Sequence, residues 1–452
     1  MPSPLERLEE LKSTFGPEAA RERRLLVARL ESATLRSAAE VERLHEALCF
    51  ARAYPDDAET AAAVERALAR FPRRADLRRH AETLANSGIA GTHTSYPFFA
   101  PTARWLASRW PRSLDLVWES VADESRLERL LPLVGHYAET PALDEAPIST
   151  ADWLDRLRAR DETTATFLVR RLAERYPNGF DFERTYEDLD LELDLRPVAD
   201  GPARGAERAP RGPRRFQTGP LRRARPDLGV EIDREPRGVR RLSRREGRQI
   251  VDLARSAMVT RARDLDAFAY GSEDDVRLIE WEDGLAFAAI GVIPERRLML
   301  EAVYGFLTLK NRVPIGYVLN SALYGSAEIA YNVFSTFRGG EAALVYARVL
   351  ATVRHLFRAD AFTIFPYQLG DENEEAIESG AWWFYQKLGF RPDEPEVVRL
   401  MNRELRRMQK DPGYRSDLDT MRELVQCHVH LHLGRARDDV LGKIGLGAIG
   451  LR

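Results

Sequence analysis

One junction in the sequence has the make-up of a phosphate site. Arg338-Gly339-Gly340 separates an apolar run ending at Phe334 from a helical pattern beginning at Glu341. A helix start leaves backbone N–H groups without intrahelical partners, and its dipole adds positive potential, so a strand–glycine–helix junction suits a phosphate. A second pattern is His428, His430 and His432 at period two. On a strand the three imidazoles share a face and could ligate zinc or copper. Cys427 would face the other way, and no acidic or cysteine partner sits at a zinc spacing, so no metal is expected. No Ser/His/Asp or Cys/His arrangement, P-loop or dinucleotide fingerprint is recognisable.

The elements that must position the junction follow from local pattern. Glu328 to Phe334 is β-branched and aromatic and reads as a strand. Leu344, Val345, Val349, Leu350, Val353 and Leu356 recur at helical spacing, which predicts a helix over 341–357. Ala361 to Tyr367 reads as a second strand, and a helix precedes Phe390. Upstream, Glu282-Asp283-Gly284 and Lys310-Asn311-Arg312 mark two hairpin turns.

The order and wording of 327–390 resemble the Gcn5-related N-acetyltransferase (GNAT) family. Val333, Arg338, Gly339 and Ala343 match its V-x-P-x-x-R-G-x-G-x-G/A signature, with Ser335 in the Pro slot and Glu341 in the central Gly slot. Ala381, Tyr385, Lys387, Gly389 and Phe390 match N-x-x-A-x-x-x-Y-x-K-x-G-F, with Glu378 replacing Asn. The resemblance implies a site for acetyl-CoA or another acyl-CoA. Val333, Phe334 and Ser335 would meet the pantetheine, and the amides of Arg338, Gly339, Gly340, Glu341, Ala342 and Ala343 the pyrophosphate. It also implies Tyr385 as general acid and Glu328 as general base. A carboxylate at position 341 suits the helix dipole but would repel a pyrophosphate.

Length and composition fit two to three soluble globular domains, and a net charge of −3 implies no global attraction to nucleic acid. Two cysteines imply no disulfide framework. No signal-peptide pattern or apolar span is present, so a cytoplasmic protein away from membranes is expected.

The reading expects an α+β chain: an all-helical N-terminal domain, then a GNAT-like mixed α/β domain with a central, mostly antiparallel sheet. The domains run 1–178, an acidic strand and linker at 179–240, the GNAT-like domain at 241–400, and a helix and tail at 401–452. Helices are expected at 18–32, 38–53, 58–71, 75–86, 114–134 and 151–176, with Asp56 and Glu59 as a capping box. Aromatics in 88–111 read as loop packing. The strict alternation of 186–196 reads as a half-buried strand with its acids in solvent, a pattern that also suits a sheet edge. The Pro- and Arg-rich 197–248 reads as a tether, disordered in part, that leaves nucleic acid open as a partner. The function expected is acyl transfer from acyl-CoA to an amine of a small molecule or protein. The alternatives are a silent GNAT-like scaffold and an aminoacyl-tRNA-dependent transferase.

Overall fold

The computed structural model describes residues 2–145 and 148–449. Gly450, Leu451 and Arg452, the end of the apolar tail, lie outside the described residues. The fold is mixed α/β, with a large, mostly antiparallel sheet. Contacts divide the chain into two units. The first holds Met1–Pro210, Arg215–Pro220 and Arg248–Gly271; the second holds Arg211–Arg214, Leu221–Gly247 and Ser272–Arg452.

In the first unit, helices Pro17–Ser32, Ala38–Ala53 and Ala58–Arg70 pack around Val27, Leu30, Val41, Leu44, Val64 and Leu68. Asp57, not Asp56, caps the third of these by accepting the Thr60 N–H. Asp56 is buried instead in an ion pair with Arg23. Three expected helices are shortened or divided. The one at 75–86 ends at Arg79, and the one at 151–176 splits into Thr150–Leu157 and Thr164–Arg175. The third opens as a strand, because Leu114 and Leu116 alternate into the core before Asp123 caps helix Glu124–Val134.

That strand belongs to a small antiparallel sheet of β1 (Thr94–Tyr96), β2 (Leu114–Leu116) and β3 (Leu193–Leu195), ordered β1-β3-β2. The alternating 186–196 stretch is therefore helix end, turn and central strand, not an edge strand. Its leucines 189, 191, 193 and 195 are all buried. Its Asp194 is tied across the sheet, accepting from Ser95 Oγ at 2.9 Å and lying 3.1 Å from His93 Nδ1. Phe98 and Trp110 from the aromatic segment are core residues.

The 197–248 segment is not a loose tether. Ala203, Ala209 and Glu207 are buried. Thr260 Oγ1 donates to Glu207 at 2.7 Å, Arg261 pairs with the same carboxylate at 3.1 Å, and Arg204 pairs with Glu46 at 2.5 Å. Charged groups thus do what the missing apolar side chains cannot, anchoring irregular backbone through bonds worth more than neutral ones.

The second unit carries β4 (Gly238–Arg241), β5 (Gly271–Glu280), β6 (Leu285–Val292), β7 (Ala302–Lys310), β8 (Val313–Leu323), β9 (Ser326–Val333), β10 (Ala361–Ile364), β11 (Arg391–Pro392) and β12 (Val429–His432). They form one sheet, ordered β11-β12-β10-β9-β8-β7-β6-β5-β4. Pairing of β9 with β10 is parallel. A parallel neighbour needs a crossover, here helix Ala342–Phe357, which packs Val345, Tyr346, Val349, Leu350 and Val353 against the sheet. Two polar contacts fix that helix. The Trp281 indole N–H donates to Thr352 Oγ1 at 3.0 Å, and the buried Arg348 guanidinium donates to Glu282 at 3.0 Å. β10 is shorter than the sequence implies, because Pro366 opens a one-turn helix, Pro366–Leu369.

Candidate functional site

β9 and β10 pair only over Ser326–Glu328 and Ala361–Thr363. β10 ends at Ile364, while β9 continues to Val333, held on its other side by β8. Parallel pairing therefore stops at Glu328, and among the described residues β9 from Ile329 to Val333 has no strand beside it on that side. The chain leaves β9 through a 3-10 turn, Ser335–Phe337, and reaches helix Ala342–Phe357 across Arg338, Gly339 and Gly340. Gly339 has φ +80, a backbone conformation that disfavours a side chain. The helix has no side-chain cap, so its first N–H groups depend on water or a ligand.

Glu341 is where charge alone misleads. Its carboxylate is 5% exposed and turned into the unit. There it pairs with buried Lys310 at 2.9 Å and accepts the Arg222 backbone N–H at 3.2 Å. The expected repulsion of a phosphate at the loop is thereby removed, since an adjacent cation neutralises the carboxylate. Ser335, Arg338 and Gly339 are exposed, while Val333, Ala342 and Ala343 are half-buried. Phe334 and Gly340 are buried. Arg338 reaches back to the Val333 carbonyl at 3.4 Å and pairs with Glu375.

The two residues expected to move protons sit differently. Cross-strand register puts Ser321, Glu328, Thr363 and His430 in one row. Directly opposed residues share a face. Glu328 is half-buried, and its carboxylate has no hydrogen-bond partner among the described residues. Loss of solvent, and then the neighbouring Glu301 charge, push its carboxyl above the usual range. Glu301 itself accepts from Ser321 Oγ at 2.8 Å. Tyr385 lies in helix Ala381–Lys387 and is 3% exposed. Its ring meets Tyr346 at 5.5 Å and Phe390 at 5.8 Å, and burial raises its phenol pKa. Tyr346, whose hydroxyl has no partner among the described residues, also contacts Tyr331 of β9 at 5.1 Å. Tyr346 is a residue the sequence reading passed over as ordinary helix core, and only the aromatic contact order across 331, 346 and 385 reveals it.

The histidine row is a strand-face stack. Successive rings lie 6.3 and 6.1 Å apart. Among the described residues no group of three or more His, Cys, Asp or Glu could hold a metal. His430 is locked by Thr363 at 3.0 Å, and burial lowers its pKa to about 4. In the first unit His45 and Cys49 form a Cys/His contact that the sequence reading missed, although the i, i+4 spacing on one helix was available. Burial keeps that pair chemically quiet: the thiol is pushed up to about 12 and the imidazole down to about 3.

Comparison with protein-family models, curated proteins and solved structures returns no match to this chain. Among the described residues no helix is long and apolar enough to cross a membrane.

Proposed function

We propose that the second unit transfers an acyl group from an acyl-CoA thioester to an amine. The observation that carries this reading is the unpaired far end of β9 beside an uncapped helix start, with Glu341 turned away from it. The pantetheine would lie along that open edge, against Val333, Phe334 and Ser335. The pyrophosphate would sit on the amides of Gly339 and of the helix start from Glu341 to Ala343, an arrangement suited to anions because donors and dipole converge there, while the Arg338 and Gly340 amides donate to the Ser335 and Phe337 carbonyls at 3.2 Å. The resemblance of 327–390 to GNAT sequences points the same way.

The chemistry asked of the residues is modest. An amine arrives as ammonium and must lose a proton before it attacks. Glu328 and Glu301 draw the cation, and Glu328, its proton affinity raised by burial, takes the proton directly or through water. The new C–N bond forms as the C–S bond breaks, the departing thiolate takes a proton from Tyr385, and the surplus proton left on the acylated nitrogen returns to the Tyr385 phenolate, directly or through water. A second reading rests on Tyr385 being buried and on Arg338 being paired with Glu375. It makes the unit an acyl-CoA-binding module without turnover.

Thermal unfolding with acetyl-CoA and octanoyl-CoA tests both, since binding to the folded state raises the midpoint by mass action. A rise abolished by Arg338→Glu or by Ala343→Glu supports the loop assignment. An amine panel then separates the readings. Turnover that Tyr385→Phe cuts by about 100-fold or more, with binding intact, supports the enzyme. Binding without turnover of any amine supports the module. No shift at millimolar acyl-CoA overturns both.

A further inference from the structure

We propose that the first unit binds a small organic carboxylate, in a pocket walled by the arginine-bearing segment that follows β3. The pocket has a volume of about 400 Å³ and lies between helices Ala38–Ala53 and Ala58–Arg70 and the 196–208 segment. That volume is in the range of small-molecule sites. It stays open because the wall carries Ala199, Gly201, Gly205 and Ala206, residues too small to fill it. Leu68 and Val198 give it an apolar side.

Charge defines the occupant. Arg52, Arg196 and Arg208 line the pocket, and among the described residues Glu65 is the one carboxylate lining it with them. Arg196 turns to Asp115 at 2.7 Å. Arg52 and Arg208 converge on a single oxygen, Oε1 of Glu65. Arg52 is 5% exposed, so water does little for its charge. Its Nε donates to the shared oxygen at 3.2 Å, and its other nitrogens donate to the Arg204 and Ala206 carbonyls at 3.4 and 3.3 Å. Bonds from a guanidinium to a carboxylate are normally about 2.7–2.9 Å, so all three are long. A buried cation held by long bonds and part of one carboxylate is under-solvated, and an anion in the pocket it lines would complete it. The neighbouring acids are engaged elsewhere. Glu46 pairs with Arg204, Glu207 pairs with Arg261, and Asp200 accepts from the Trp110 indole at 3.1 Å. His45 also lines the pocket, as a neutral imidazole, because burial lowers its pKa to about 3. One negative charge on two oxygens suits the planar donors of a guanidinium. The volume and the apolar side call for a carbon body larger than that of acetate.

Calorimetric titration of the full chain with benzoate and 4-phenylbutyrate tests the assignment, alongside the uncharged 4-phenylbutyramide. Carboxylate binding in the micromolar to millimolar range is expected, about tenfold or more tighter than that of the amide. Glu65 competes for the donors the ligand needs, so Glu65→Gln should tighten carboxylate binding severalfold. Arg208→Gln removes a donor and leaves Glu65 to Arg52 alone, so it should weaken binding severalfold. Both side chains are half-buried, and the protein should stay folded in each variant. Absence of binding by both carboxylates at millimolar concentration, in the native protein and in Glu65→Gln, overturns the proposal. So does equal binding of the amide. Weaker carboxylate binding in Glu65→Gln also overturns it, since Glu65 would then support the ligand and not compete with it.

Discussion

The loop entering helix Ala342–Phe357 and the first turn of helix Thr164–Arg175 each contain a buried polar side chain, and they treat it in opposite ways. Glu341 is fully provided for, with Lys310 at 2.9 Å and the Arg222 N–H at 3.2 Å. The Thr166 hydroxyl makes no hydrogen bond among the described residues. Burial without a partner costs free energy, and burial with one largely cancels that cost. The first region therefore reads as scaffolding that shapes a loop, although its residue type suggested direct interference with a ligand. In the second region an inconspicuous helical threonine carries a hydroxyl that the fold leaves unanswered. What a polar residue is for depends less on its type than on whether the fold has already answered its hydrogen bonds.

The contrast is sharpest at Lys310. Removing one partner of a buried pair strands the other charge. Lys310→Met should therefore cost about 3–5 kcal/mol in denaturant unfolding. Replacing both, Lys310→Met with Glu341→Leu, should restore most of that loss, because an apolar pair of similar volume needs no solvation. A single substitution costing less than about 1 kcal/mol would mean that water or another group reaches Glu341. The distinction between the two regions would then fail.

His45 lies between these cases, since its polar neighbour within the helix is a weak one, the Cys49 thiol at 3.7 Å. Its imidazole pKa falls from 6.5 to about 3, through burial first and then the Arg204, Arg52 and Arg261 charges. The folded state therefore stays neutral where the unfolded state protonates. Stability is complete above pH 6.5 and falls as pH drops through that value toward about 3. At about 1.4 kcal/mol for each tenfold difference in proton affinity, roughly 3 kcal/mol disappears by about pH 4.5. Unfolding midpoints measured across that window should slope steeply in the native protein and flatten in His45→Gln. Equal slopes in the two would show that the imidazole is hydrated.

How much of this could be read beforehand differs between the two units. The hairpins, the crossover helix and the 326–364 order were legible because period-two and period-3.6 patterns survive wherever one face is buried. The leucines of 186–196 were legible as buried. Their position in the centre of a sheet was not, because β1 and β2 come from about 80 to 100 residues away and are three residues each. Arginine misled most. In 197–248 it resembles the composition of a tether, yet Arg204 meets Glu46 and Glu207 meets Arg261. Pairing of that kind over long sequence separations leaves no local trace. Glu341 failed for the same reason: its spacing gives the helix position, but Lys310 decides which way it points.

The smallest effect separates the regions most directly. Valine at 166 keeps the shape of threonine and removes only the hydroxyl, so nothing that packs against Thr166 is lost. If that hydroxyl is unanswered in the folded protein, its removal relieves a desolvation cost. Thr166→Val should then be neutral to stabilising by about 1 kcal/mol. The same change at Thr260, whose hydroxyl donates to Glu207 at 2.7 Å, should destabilise, because it leaves a buried carboxylate short of a donor. Both are buried threonines, Thr166 in the first turn of helix Thr164–Arg175 and Thr260 in the turn after helix Arg244–Val259, so side-chain volume is matched between them. Opposite signs in the two unfolding curves would isolate hydrogen-bond satisfaction as the variable. Equal losses at both sites would place an ordered partner on the Thr166 hydroxyl.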